Sequence, residues 1–335
     1  MKPWFGFLGS LTAVLCLVGV NVLLSDDKPA GSKSPSQSSS DVKPGRPSGP
    51  TLTTEFGELA LFPADNVWNQ PIEHLQVHPK SAAYLESIGL NTSIHPDWGN
   101  EWEGIPVGMP ITVVSGKQPG VPVRFQYADE SDHGLYPIPK DVMIEGGPTS
   151  DGDRHIVLVD YHNKRLYELF AARNTRQGWT AASGAIFDLT SNRLRPNGWT
   201  SADAAGLPIL PGLVRYDEVV EKKKIEHALR FTVQKTRKAY IFPARHAASR
   251  SSSPNLPPMG TRIRLKKSFD TSGFPESAQV ILNGLKKYGM ILADNGANLF
   301  ITGTHDKRWN TDEMGTLKRV KAKDLEVVYS GNVVP

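Results

Sequence analysis

Cysteine is almost absent from the chain: among 335 residues only Cys16 carries a thiol, and it lies inside the first apolar run. Beyond that run, disulfides, zinc–cysteine and iron–sulfur sites and cysteine nucleophiles are excluded. An excess of one charge is lacking too. The 38 basic and 34 acidic residues are interspersed rather than blocked, and the net +4 is too small and too even for a nucleic-acid binder. Several signature motifs are missing: no Gly-x-Ser-x-Gly elbow, no P-loop, no dinucleotide Gly-x-Gly-x-x-Gly after a strand and no His-Glu-x-x-His helix. Nucleophile-elbow hydrolases, NTPases, Rossmann dehydrogenases and zincin proteases are thereby disfavoured. Asp153-Arg-His155 has the Asp-x-His spacing that opens a two-metal phosphatase site, but the further motifs such a site needs do not follow it.

Long apolar runs are limited to one, Trp4 to Leu24, which follows Lys2, carries no charge and is about long enough to span a bilayer. It reads as an export segment, either a cleaved signal peptide or a signal anchor, so the rest of the chain is expected outside the cytoplasm: secreted, periplasmic or at the cell surface. Cys16 lacks the small residue expected before a lipidated cysteine and reads as apolar filler. Residues 25 to 50 are Ser, Pro, Gly and Lys with almost nothing to bury, the composition of a solvated linker. From 51 to 335 the composition is even and without repeats, which predicts one globular domain and a monomer, with the membrane met only through the N-terminal segment.

What the domain does contain is short apolar or alternating runs bounded by Gly, Pro, Asn and Asp. Strands are predicted over 110–115, 121–127, 155–160, 165–171, 182–189, 239–243, 261–265, 290–293 and 299–302. Asp160 to Lys164 reads as a hairpin turn with Asn163 in the left-handed position. Two helices are expected, Pro79 to Ile88 and Pro275 to Tyr288, each with proline near its start and glycine just past its end. The fold class is therefore α+β and β-rich, a mainly antiparallel sheet or sandwich with a few peripheral helices.

Candidate chemistry is carried by acids. Asp129, Glu130, Asp132 and His133, then Glu145, then Asp151, Asp153 and His155 fall among turns between strands. Crowded carboxyls raise one another's pKa, and a raised carboxyl suits a general acid near neutral pH. In the strand from His155, period-two geometry places His155, Val157 and Val159 on one face, with Asp153 on the His155 side. Asp203 sits in a run of small residues from Gly198 to Pro208, and Asp294 follows a short strand. Catalytic roles are expected from Asp153, His155, Asp203, Asp294, Glu130 and Glu145. The structural alternatives are capped turns for the acids, an N-cap for Asp203, a hairpin turn for Asn295 and a satisfied buried imidazole for His155.

Arg215, His227, Arg230, Arg245 and His246 bring positive side chains near strand ends, where they can bind an anionic group or neutralise the acids. Trp98 and Trp102 lie in a polar, turn-rich stretch and Trp199 is the aromatic in the small-residue run from Gly198 to Pro208; exposed indoles stack on sugar rings, and packing beneath a loop is the alternative. Substrate-binding roles are expected from Trp98, Trp102, Trp199, Arg215 and His246.

The order of Gly152-Asp-Arg-His155, Ser201-Ala-Asp-Ala-Ala-Gly-Leu-Pro208, His227-Ala-Leu229, Pro258-Met-Gly260 and Tyr288-Gly-Met-Ile-Leu-Ala-Asp-Asn-Gly296 resembles a family of exported bacterial proteins of unassigned activity. The resemblance implies a bacterial, exported, single-domain protein and adds no residue roles. Two functions follow from the residues. One is a carbohydrate-active enzyme that hydrolyses a poly- or oligosaccharide with paired carboxylates, a lyase with His155 or Tyr288 as base being a variant. The other is a non-catalytic carbohydrate-binding or cell-envelope protein whose acids cap turns or hold calcium. No organic cofactor is expected.

Overall fold

The computed structural model describes residues 49–335. The predicted export segment, Cys16 and the linker up to residue 48 lie outside the described residues. The β-rich α+β architecture is as expected, with antiparallel pairings predominating. A six-stranded sheet runs in the order Leu325–Val328, Arg262–Leu265, Met290–Asn295, Leu229–Val233, Phe300–Thr302, His95–Asp97. A four-stranded sheet runs Ser183–Asp188, Arg165–Phe170, Ile156–Asp160, Ile111–Val114. A second four-stranded sheet is formed by Arg173–Thr175, Gly178–Ala181, Val121–Phe125 and Leu135–Tyr136.

Alternation decides which faces meet. In Ile156–Asp160, Val157 and Val159 join an apolar cluster with Leu166, Ala185, Ile209 and Leu213, whereas Ile156 and Leu158 join another with Val123, Tyr136 and Leu169. That strand is therefore buried on both sides. The largest cluster lies between the six-stranded sheet and its helices. Helix α1, Ser81–Ile88, ends at Gly89, whose φ of 100° lets its N–H reach back to the carbonyls of Leu85 and Glu86. Helix α2, Glu276–Lys287, buries Ala278, Ile281, Leu282 and Leu285 along one stripe. Each of its large aliphatic side chains contributes about 1.5–3 kcal/mol of burial.

The two principal sheets are joined at a seam. Beyond Phe300–Thr302 the chain continues so that Val214 donates to Thr302 O (3.1 Å) and Met109 donates to Gly303 O (2.9 Å). Met109 then leads into Ile111–Val114, so the continuation of Phe300–Thr302 is tied to the edge strand of the four-stranded sheet.

Three local expectations are revised. In the hairpin after Asp160, the left-handed residue is Lys164 (φ 51°), because Asn163 instead donates its side chain to Asp160 Oδ2 (2.7 Å). The strand expected over 239–243 is only Tyr240–Ile241, paired with Val333–Val334, and Pro243, which lacks an N–H, stands outside it. The strand from Met290 continues to Asn295 and so carries Asp294 within the sheet. Asn295 is also drawn into structure, donating to Val233 O (3.3 Å) and Thr236 Oγ1 (3.2 Å). Among the described residues no helix is long and apolar enough to cross a membrane.

Candidate active site

Strand register gathers the first group of side chains. Arg230 lies in the buried strand Leu229–Val233, and its guanidinium bonds the hydroxyl of Thr302 on the neighbouring strand. Thr302 in turn is paired laterally with Asp97 at the end of His95–Asp97. On the other side, Thr232 is opposite Asp294, after a register shift that follows Phe231. Asp294, Arg230, Thr302 and Asp97 thus form a band across three strand pairings.

The second group comes from the four-stranded sheet and its loops. His155 stands just before Ile156–Asp160. Its Nδ1 donates to Glu145 Oε2 (2.7 Å), its Nε2 is 3.2 Å from Ala202 O, and its backbone N–H also reaches Glu145 Oε2 (3.3 Å). Glu168 is paired across the sheet with Val157, so it faces the His155 side. Its carboxylate accepts from the backbone N–H groups of Ile209 and Leu210, each 2.9 Å away.

The segment 200–204 lies between the two groups. Asp203 is fully buried and receives Arg230 through two nitrogens, Nε at 2.8 Å to Oδ2 and Nη2 to Oδ1. Ser183 donates to Ser201 O (2.6 Å), and Ser201 Oγ accepts from Asp203 N (3.0 Å), which fixes the turn. Gly206, with φ 72°, closes it; a Cβ there would stand 2.3 Å from Trp199 O.

Electrostatics sort these carboxyls into two kinds. Glu145 is held below the ordinary carboxylate value: burial alone would raise it, but the charge and hydrogen bonds of His155 prevail. Burial would lower His155, yet Glu145, then Asp153 and Asp203, bring it up to about 9, so this pair is ionised near neutral pH. Arg230 stays charged because Asp203 outweighs its burial. Asp97 behaves differently, pushed up to about 6 by burial, Glu145 and Asp153 against the pull of Arg230. Asp294 rises to about 7 by burial and the charge of Asp203. Both are only partly buried, and of the two Asp294 keeps the larger share of its proton near neutral pH. Glu168 also rises to about 7 through burial, but it is sealed from solvent.

Of the expected catalytic residues, the structure brings Asp153, His155, Asp203, Asp294 and Glu145 into one electrostatic neighbourhood. Asp153 is exposed, and Arg154 between it and His155 has φ 53°, so the strand alternation used to align the two does not extend to Asp153. Glu130 lies on the other side of segment 200–204, accepting from Thr200 N (3.1 Å). His246 is beside it, donating Nδ1 to Ala204 O (2.7 Å). Trp199 is half-buried with the Arg195 guanidinium 5.4 Å from its ring. Arg195 itself is held by Asp132 and by Glu130 O (2.8 Å).

Two of the expected ligand-binding residues are core residues. Trp98 is buried against Trp309, so its faces are covered. Arg215 is 2% exposed and paired with Glu218, which also takes His227 Nε2 (2.9 Å), away from the candidate site. Trp102, 72% exposed, stands on the small hairpin Glu101–Trp102/Ile105–Pro106 that follows Asp97. Asp97 and Glu168 were not expected at all. Glu168 had a signal, an acid on the alternating face shared by Leu166 and Phe170; Asp97 sits in a three-residue strand too short to show a period.

Among the described residues no group of three or more His, Cys, Asp or Glu is disposed to hold a metal ion. No family model, curated protein or solved structure matches the chain.

Proposed function

We propose that the protein is an exported enzyme that hydrolyses a polysaccharide by acid–base catalysis at this site. The observation that carries the reading is the partly buried carboxyl of Asp294, raised to about 7, with that of Asp97, raised to about 6, beside the ionised Glu145–His155 pair. A glycosidic oxygen leaves poorly as an alkoxide, and a carboxyl that keeps its proton near pH 7 removes that barrier by protonating it. Asp294 fits this role: it is only partly buried, and the amide of Asn295 (2.6 Å) orients one of its oxygens. Asp203 and His155 do not fit it, since Arg230 occupies both oxygens of the first and both ring nitrogens of the second are engaged. Their part is to hold the segment and the local charge. Trp102 and Trp199 offer indole surface for a sugar ring.

The test is release of reducing ends from a panel of plant and microbial polysaccharides by the full-length chain. Asp294→Asn is expected to lower release by about 10²–10⁴-fold, the range for losing a general acid. Asp97→Asn should lower it less and displace the pH profile. Release that survives both substitutions unchanged would remove the assignment.

A further inference from the structure

The sheet formed by Arg173–Thr175, Gly178–Ala181, Val121–Phe125 and Leu135–Tyr136 has one apolar face and one charged face. Val123 and Ala181 carry the first into an apolar cluster. On the other, Thr180 is paired with Arg173 on one side and with Arg124 on the other. Laterally paired residues point the same way, so two guanidinium groups flank one hydroxyl, their backbones two strand spacings or roughly 10 Å apart. Arg124, Thr180 and Arg173 line one cavity of about 380 Å³, together with Gln126, Ala171 and Ala182. The two alanines are small and leave it open between the arginines.

These arginines differ from those of the candidate active site and the core. Arg195, Arg215 and Arg230 are each gripped by a carboxylate. Among the described residues no carboxylate pairs with Arg124, with Arg173 or with Arg176 in the turn between the first two strands. Arg124 has a single neutral acceptor, Gln177 Oε1 at 3.4 Å. The nearby Arg154 is buried and donates only to the carbonyls of Ala172 (3.0 Å), Pro148 (3.1 Å) and Ser150 (2.7 Å), so it too lacks a countercharge. Burial, then the charge of Arg173, lowers its pKa from the ordinary value. Along one border of the face Pro122 is paired with Leu135, which is 61% exposed and offers an apolar ledge. Ala171 donates to Asp153 O (2.9 Å), so the cavity adjoins the chain that leads to His155 while standing outside the candidate active site.

We infer that this face binds an acidic polysaccharide through the carboxylates of its uronic acid residues. The inference takes from the hydrolase reading that the ligand is a saccharide, and adds its charge. A guanidinium fork meets a planar carboxylate with two parallel hydrogen bonds. The Thr180 hydroxyl and the Gln126 amide supply the neutral donors and acceptors that ring hydroxyls need, and Pro122 and Leu135 the apolar surface for a ring face.

Titration calorimetry of the full-length chain with oligogalacturonate should show binding that weakens as salt is added. The methyl-esterified oligomer, which keeps the sugar and loses the charge, should not bind, and neither should dextran. Arg124→Gln and Arg173→Gln should each weaken binding by about 5- to 20-fold, the range for one charge-assisted contact. Lysine at either position should restore only part, because it returns the charge without the fork. Lys323→Gln, which removes one positive charge beside the edge strand Leu325–Val328, should leave affinity unchanged. Both arginines are exposed, so an unaltered melting temperature in their variants separates a lost contact from a lost fold. Undiminished binding by the double glutamine variant would overturn the inference. So would equal binding of the methyl ester, or binding of dextran sulfate or of phosphatidylglycerol vesicles in place of oligogalacturonate. No binding of any of these would reduce the row to a charged guard on a sheet edge. Oligogalacturonate bound but no polysaccharide cleaved would defeat the hydrolase reading and leave the binding face standing. Cleavage of neutral polysaccharides alone would do the reverse.

Discussion

Glu168 is the residue in which burial and charge are most opposed. It is sealed from solvent, receives two backbone amides and sits near Asp203, and its carboxyl rises from 4.5 to about 7. A raised acid binds a proton more tightly in the folded than in the unfolded chain, so its contribution is fully present below about pH 4.5 and is lost as pH rises through about 7. At about 1.4 kcal/mol per pKa unit the loss is on the order of 3 kcal/mol. His155 acts in the same direction at higher pH. Its pairing stabilises the fold below 6.5 and is lost through about 9. Glu145 has the opposite sign, stabilising above its unfolded value and failing as pH falls through its depressed one. Urea denaturation across this range should show stability falling from mildly acid to alkaline pH. Glu168→Gln, which retains an amide oxygen for Ile209 or Leu210, should flatten the part below about pH 7.

At the scale of elements, the decisive piece is the irregular segment from Trp199 to Gly206. Its conformation depends on Gly206, since φ 72° and the 2.3 Å approach to Trp199 O leave no room for a side chain. Gly206→Ala should cost at least about 1 kcal/mol in a denaturation experiment. Because the disturbance falls beside His155 and Asp203, the same variant should lose the proposed hydrolase activity while its far-ultraviolet circular dichroism is kept. The regular elements around this segment were legible in the sequence for simple reasons. Helix α2 shows its stripe and its glycine, and Arg165–Phe170 alternates. Leu229–Val233 escaped because a strand buried on both faces shows no alternation, and Arg230 in its midst resembles a surface residue. For the site, the acids themselves could be named, but not their states. That Asp203 is locked by Arg230, or that His155 has no free nitrogen, depends on partners 27 and 47 residues away in sequence. Trp98 and Arg215 were misplaced for the same reason, their polar neighbours in sequence not being their neighbours in space.

For the whole molecule, sheet order matters most. The six-stranded sheet has Leu325–Val328 at one edge and His95–Asp97 at the other, so it cannot close until nearly all of the described chain is in place. Parallel pairings such as Leu229–Val233 with Met290–Asn295 add further long connections. Such non-local topologies fold in milliseconds to seconds or more slowly, because loop entropy is lost before contacts return it. Tryptophan fluorescence in a stopped-flow refolding experiment should therefore show no complete sub-millisecond phase, and titration behaviour specific to Glu145–His155 should appear only with the final one.

The seam at Thr302–Thr304 has a consequence for how such a protein can change over generations. Asp97, Glu145 and His155 arrive from one half of the chain, and Asp203, Arg230, His246 and Asp294 from the other, with Val214 and Met109 fastened to the same three residues between them. Neither half holds the whole candidate set. The site cannot pass to another protein as a short cassette, and duplication of either half alone would copy the scaffold without its chemistry. Divergence is left to the hairpin that bears Trp102 and to the loops around Glu130 and Trp199, where sequence can vary without opening the seam.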